Sequence, residues 1–308
     1  MSWLARRLVG LYPRAWRERY EEEFLAMLEQ GRASLADFLD VAFGALDAWL
    51  WPQVTSEGRA IVAARMRSSV LGVLWAWVGL VVAGVGFQKM AEYEDFVDAA
   101  RENALVGLSF DAIVGGALIA LAAVLVGGTP VALAALRGAV AERRRDVPLL
   151  FCVPPISLAG SVGYAVLLGG VIYPSLGYLS VHASLNVTLF LSLVGAFLVA
   201  AVASAGAITA AVGRAEVGGR PIRFALFAAV VVAVAMAVVL IGTVVWGLAL
   251  LVSAPSLFLG DEGILATPTA ATWLAVVALM SASAGAAAFA VVRGLRARRA
   301  AVASSRDY

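Results

Sequence analysis

From Val147 to Gly213 the chain runs 67 residues without a single Asp, Glu, Lys or Arg. One helical crossing of a bilayer uses roughly 20 largely apolar residues, so this stretch holds more than one. It also contains a turn-rich segment, YPSLGYLSVHASLN from Tyr173 to Asn186, and therefore reads as a helical hairpin. Four more charge-free stretches follow the same logic: Ser68 to Gln88, Ala112 to Leu136, Phe224 to Gly260 and Gly263 to Val292. The pattern predicts crossings at about 69–88, 110–136, 149–172, 186–212, 224–252 and 269–292. The fold class is thus an all-α polytopic membrane protein, six transmembrane helices in three hairpins, with a small N-terminal helical segment. Composition agrees, since 62% of residues are hydrophobic and 14% charged, against about 45–50% and about 25% in soluble domains. A soluble enzyme, a disordered chain and a disulfide scaffold, the last for want of more than one Cys, are excluded.

The charges give orientation. Of 23 basic residues, 21 fall in residues 1–68, 137–146, 214–223 and 293–308, and only Lys89 and Arg101 lie in the alternate loops. Those alternate loops carry Glu92, Glu94, Asp95, Asp98, Glu102, Asp111, Asp261 and Glu262. The positive-inside bias predicts that both termini are cytoplasmic. Arginine outnumbers lysine 22 to one in an Ala- and Gly-rich chain, which points to a G+C-rich bacterial genome and hence to the bacterial inner membrane. The run after Arg6 and Arg7 is too short for a signal peptide.

Within the spans, Pro148, Pro154 and Pro155 admit two readings: a helix that starts near Pro155, or a broken helix lining a site. Trp273, Tyr173 and Tyr178 fall near predicted outer boundaries, whereas Trp75, Trp77 and Trp246 lie deeper, against neighbouring helices. Small residues recur every four positions in the last span (Ser281 and Gly285, Ala282 and Ala286) and in the fourth (Ala196, Ala200, Ser204), which permits close approach. Asp111, just after Ser109, is placed to cap the second span. The loop Lys89 to Leu108 suits a surface helix with Tyr93, Phe96, Val97 and Ala100 on one stripe.

Residues 1–68 form a segment of their own, ahead of a membrane domain over 69–292 and a basic tail over 293–308. They hold nine Arg and nine acidic residues and read as amphipathic helices: a short one from Trp3 to Leu11, one from Pro13 to near Gly31, and one from Ser34 to Trp51. In the second, Trp16, Tyr20, Phe24, Met27 and Leu28 share a face. These helices bury their stripes on each other or on the membrane surface. The string LYPRAWRERYEEEFLAMLE, residues 11–29, resembles the cytoplasmic prefix ahead of the first span in some bacterial ABC-transporter permeases of the efflux and lipoprotein-export type, and in other bacterial membrane proteins. The resemblance lies in Leu11, Tyr12, Pro13, Arg14, Trp16, Arg17, Arg19, Tyr20, Glu22, Glu23 and Leu25 and in none of the six spans. This chain has Glu21 where the prefix usually has Gly, and its outer loops are too short for the permeases' large external domain. The resemblance implies a partner-binding role for Tyr12, Pro13, Trp16, Arg17, Arg19, Tyr20, Glu22 and Glu23.

No pattern specifies a reaction. His182 and Cys152 are the only residues of their kinds, so no zinc cluster and no nucleophilic triad is suggested. Gly127, Gly128, Thr129 and Pro130 interrupt the second span, but no phosphate-binding glycine motif is present. No catalytic residue, metal or cofactor is expected, and no nucleic acid as partner. Spans three to six lack the buried charges of ion-coupled transporters, a lack that an apolar or lipid substrate would tolerate. Two functions follow: a non-catalytic membrane protein whose prefix binds a cytoplasmic protein or a second copy, or a transporter component handling a hydrophobic or lipid-like substrate. An intramembrane enzyme is the third and least supported.

Overall fold

The computed structural model describes residues 59–92, 94–172, 183–215, 217, 219–261 and 267–304, with residues 9, 12, 17, 18 and 20–25 of the N-terminal segment. Among them there is no strand. The helices are α1 (Arg59–Ala91), α2 (Glu94–Glu102), α3 (Ala104–Ala141), α4 (Asp146–Leu167, prolonged by a π-helical turn over Leu168–Ile172), α5 (Ala183–Arg214), α6 (Arg220–Ser253), α7 (Pro255–Leu259) and α8 (Thr269–Ser304). Six of these, α1, α3, α4, α5, α6 and α8, are long and apolar enough to cross a bilayer. The six expected crossings are all present.

The helices overrun the charge-free stretches, because arginine and acidic residues are tolerated in helical turns outside the hydrocarbon. Thus α1 already begins at Arg59 and α8 continues to Ser304. The second span opens at Ala104, where Asn103 Oδ1 accepts the Leu105 and Val106 N–H groups at 2.9 and 3.4 Å. Asp111 is therefore not a cap but an exposed residue inside α3. Pro154 and Pro155 neither start nor break α4, which runs continuously through both from Asp146. A membrane helix accommodates proline when local adjustments satisfy the freed carbonyls.

Connectivity is that of three hairpins, but lateral packing crosses them. The first span lies along the sixth (α1 on α8) and the second along the fifth (α3 on α6), and α6 also touches α8 and α1. Only in the second hairpin, α4 and α5, is a consecutive span the chief partner. These two are peripheral: 6% of the most apolar window of each is buried, against 28–44% in the other four. Their lipid-facing side chains include Leu149, Ile156, Leu158, Val166 and Val199.

Glycine sets the closest seams. A Cβ on Gly127 of α3 would overlap Ala228 Cβ of α6, and one on Gly116 would lie 2.9 Å from Val239 Cγ2. On α6, Gly247 lies against the Trp273 ring. In the last span the small residues at four-residue spacing, Ser281, Ala282, Gly285 and Ala286, are exposed, while Ser283, Ala287 and Ala290 are buried in the core. Spacing alone does not choose between the sides of a helix on which alanine and glycine are everywhere.

Two cores result. At the acidic end, Trp246 packs edge-on to Phe87 with centroids 5.0 Å apart and tilted against Phe96 at 5.7 Å. Phe96 is the buried residue of the loop helix α2, as its amphipathic pattern predicts, while Val97 remains exposed. Trp273 is more than an interfacial ring: its indole N–H donates to Thr243 O at 2.9 Å, and it stacks edge-on with Phe258. At the arginine-rich end, Met66, Leu71, Val131, Ala135, Val147, Val212, Ile222 and Leu226 form the second core.

Candidate functional site

Between these cores and beside the arginine-rich end lies a cavity of about 340 Å³. Five of the six crossing helices wall it: Val70, Leu71 and Leu74 from α1, the Ala123–Ala132 face of α3, Phe151 and Pro154 of α4, Ile208 and Val212 of α5, and the Ile222–Val232 face of α6. It exists because α4 and α5 stand off from the glycine-tight α3–α6 pair. Leu125, Gly128 and Thr129 line it and are exposed, so it opens sideways at α3, at the depth of the hydrocarbon. An apolar protein cavity of about 150 Å³ already holds benzene; this one has more than twice that space.

One charged side chain, Arg67, is among the lining residues. Its Nε and Nη2 donate to Val217 O in the α5–α6 link at 3.1 and 2.8 Å, tying that link to α1. Other arginines tie the same end together. Arg144 Nη1 donates to Arg214 O at 2.9 Å, and Arg144 and Arg214 both reach Asp146 Oδ2 at 3.3 Å, joining the α3–α4 link to α5. Arg293 of α8 donates to Ser68 Oγ at 2.9 Å and lies 3.4 Å from Ser69 Oγ; both serines donate in turn to Arg65 O. The start of α1, the end of α8 and two interhelical links are thereby gathered at one end of the bundle, as an even number of crossings requires.

Toward the acidic end, α1, α4 and α5 enclose a second apolar crevice of about 360 Å³, between Val81, Val82 and Val85 on one side and Phe190, Val194 and Phe197 on the other. Along the α1–α5 seam the two spaces are separated where Trp75 Nε1 donates to Thr209 Oγ1 at 3.1 Å. Thr209 is buried and itself donates to Ala205 O. Thr209→Val keeps the shape but orphans the indole N–H; hydrogen bonds between membrane helices average about 0.6 kcal/mol, with a maximum near 1.7 kcal/mol. A loss of about 1 kcal/mol in unfolding free energy, with a shifted tryptophan emission, is the expected result.

Of the partner-binding residues expected in the prefix, Tyr12, Arg17, Tyr20, Glu22 and Glu23 are among the described residues. Residues 17–18 and 20–25 are helical. Tyr12 is buried and meets Phe24 edge-on at 5.5 Å, so it holds the segment together. Arg17 is half-buried, and Tyr20, Glu22 and Glu23 are exposed. Pro13, Trp16 and Arg19, the expected helix over 34–51 and His182 lie outside the described residues. Cys152 is exposed on α4. Among the described residues no group of His, Cys, Asp and Glu could hold a metal. In the acidic loop, Lys89 pairs with Glu92 and Arg101 with Asp98.

Sequence reasoning did not find the cavity. Arg67 was one of many arginines that set orientation, and Gly127–Gly128 an interruption; the available signal was a glycine pair at mid-span, one member serving a seam and the other a void. Fold and site together define a polytopic α-helical membrane protein with an apolar chamber open to the bilayer. Comparison with protein families, curated proteins and solved structures finds no match to this chain.

Proposed function

We propose that this chain is a non-catalytic protein of the bacterial inner membrane, its termini cytoplasmic, that takes up a hydrophobic or lipid-like molecule between its helices. The observation that carries this reading is the chamber of about 340 Å³ walled by five crossing helices and open toward the lipid at Gly128 and Thr129. Its volume lies within the range of about 300–1,000 Å³ found for small-molecule pockets. Taking a methylene as about the 30 Å³ of a water molecule, it accommodates a chain of about eleven carbons.

The test is equilibrium binding of radiolabelled dodecanol to the full chain in phosphatidylcholine nanodiscs. Gly128 lines the mouth of the chamber and a Cβ there meets nothing within 4 Å, so Gly128→Leu adds bulk at the mouth without a clash at that Cβ. Saturable binding by the wild type, weakened about tenfold (about 1.4 kcal/mol) in a Gly128→Leu protein of unchanged stability, is the expected outcome. Equal binding by both would remove the chamber from consideration.

A second reading, partner docking through the prefix, is favoured by the exposed Tyr20, Glu22 and Glu23 on a helical turn braced by Tyr12 and Phe24. An ATPase or regulatory protein that copurifies with the full chain and is lost on removing residues 1–52 would support it. The two readings are compatible, since the chamber and the prefix use different residues.

A further inference from the structure

We propose a second binding site, on the α4–α5 hairpin, for an uncharged lipid-like molecule whose one polar group is a hydroxyl or a carbonyl, held by Ser157 and Ser161 with its apolar part in the crevice toward α1. None of the residues of this site lines the chamber. On the hairpin a hollow of about 530 Å³ lies between Ser157, Ser161 and Tyr164 of α4 and Ser192, Gly195 and Val199 of α5. It adjoins the apolar crevice of about 360 Å³, because Ser161 and Ala200 line both. Gly160 and Val199 are exposed, so the hollow opens sideways to the bilayer. Ser157 and Ser161 stand one helical turn apart on either side of Leu158, the middle residue of the span Asp146–Gly170, and therefore near the centre of the hydrocarbon.

A serine or threonine hydroxyl inside a helix can donate back to a carbonyl of the preceding turn. In this bundle Ser192, Ser204, Thr209, Thr243 and Ser253 do so. Ser157 and Ser161 do not: among the described residues neither hydroxyl has a hydrogen-bond partner. Ser161 is 5% exposed, yet its Oγ is not sealed off and reaches the spaces that the residue lines. Tyr164 donates to Ser192 Oγ at 2.8 Å, since Ser192 spends its own proton on Leu189 O at 2.7 Å. The unmet hydrogen-bonding capacity is thus concentrated at two serines, at a depth where lipid tails offer no partner. No charged side chain lines either space, so a carboxylate or phosphate there would be an unpaired charge in a low dielectric. A pure hydrocarbon would leave both hydroxyls unmet and gain nothing over the bilayer, whose tails are as apolar as the crevice walls. A hydroxyl or carbonyl oxygen accepts from both serines and carries no charge to desolvate. Taking a methylene as about 30 Å³, the crevice accommodates about twelve carbons.

The probe is dodecanol carrying a photoreactive diazirine in mid-chain, compared with dodecane carrying the same diazirine and no oxygen. Each is titrated into the full chain in phosphatidylcholine nanodiscs and irradiated, and the modified residues are located by mass spectrometry. The alcohol is expected to label residues 81–86 and 190–198 saturably, about fivefold more than the hydrocarbon does, the effect of one hydrogen bond between groups in a membrane. Ser161→Ala should lower that labelling by about the same factor while labelling of residues 123–132 in the chamber stays as it was, and Ser161→Thr, which keeps the hydroxyl, should restore most of it. Equal labelling by alcohol and hydrocarbon, or labelling indifferent to Ser161→Ala, would overturn the site. Because residues 123–132 report on the chamber alone, failure there would count against the chamber and leave this site standing. The rival occupant is a helix of a second copy. In a Cys152→Ser background, disulfide-linked dimers formed by Ser161→Cys under mild oxidation would assign the hollow to that copy and overturn the proposal, whereas a protein that stays monomeric supports it.

Discussion

Trp246→Ala is expected to destabilise the bundle by about 3 kcal/mol, at the lower end of the roughly 3–5 kcal/mol found for buried aromatic truncations. The indole is 1% exposed and touches Phe87 of α1 and Phe96 of α2, so one side chain of α6 joins three elements at the acidic end. In water much of the cost of such a truncation is lost transfer free energy. Between membrane helices that part is small, and what remains is the void and the lost contacts. Thermal or denaturant unfolding in mild detergent measures the loss, with Phe227→Ala as control. Phe227 is 66% exposed on the same helix, and its truncation should move stability by no more than about 0.5 kcal/mol. Equal effects from both would mean that Trp246 does not join these elements.

Gly127→Leu and Gly128→Leu should behave as opposites although the residues are adjacent. At Gly127 even a methyl group would overlap Ala228 across the α3–α6 seam, so a leucine must part the most extensively packed helix pair. Overpacking of this kind costs about 1–3 kcal/mol and occasionally more, and the upper end is expected because the obstacle is another helix rather than a flexible side-chain tip. The measurements are unfolding free energy, expected to fall by about 3 kcal/mol or more, and the yield of protein that elutes as a single species. Gly128→Leu should leave both unchanged. A Gly127→Leu protein as stable as the wild type would contradict the close seam.

Much of this architecture is legible in the residues. Charge-free length gives the six crossings, because an uncharged stretch from Val147 to Gly213 has few stable surroundings other than lipid, and Phe96 is marked by the amphipathic pattern of its loop. The lateral packing is not legible. In water a helix declares its buried face by apolar residues, but a membrane helix is apolar on both sides, so nothing in the pattern of α3 says that it leans on α6 rather than α1. The same lack of contrast leaves the spacing of Ser281 and Gly285 silent on which side of the last span packs within the bundle. Helix starts were missed for a local reason: Asn103 caps α3 from a polar segment that a search for apolar stretches passes over. The chamber is a property of how α4 and α5 stand off from the other helices, and single residues such as Arg67 and Gly128 carry no separate mark of it.

The account depends on six crossings with the arginine-rich end in the cytoplasm. In a Cys152→Ser background, Asp98→Cys and Arg144→Cys place one thiol in the α1–α3 loop and one in the α3–α4 link. Intact cells are treated with a membrane-impermeant maleimide, then permeabilised and treated again. The account predicts that Asp98→Cys reacts at once and Arg144→Cys only after permeabilisation. Reaction of Arg144→Cys in intact cells, with Asp98→Cys protected, would contradict it.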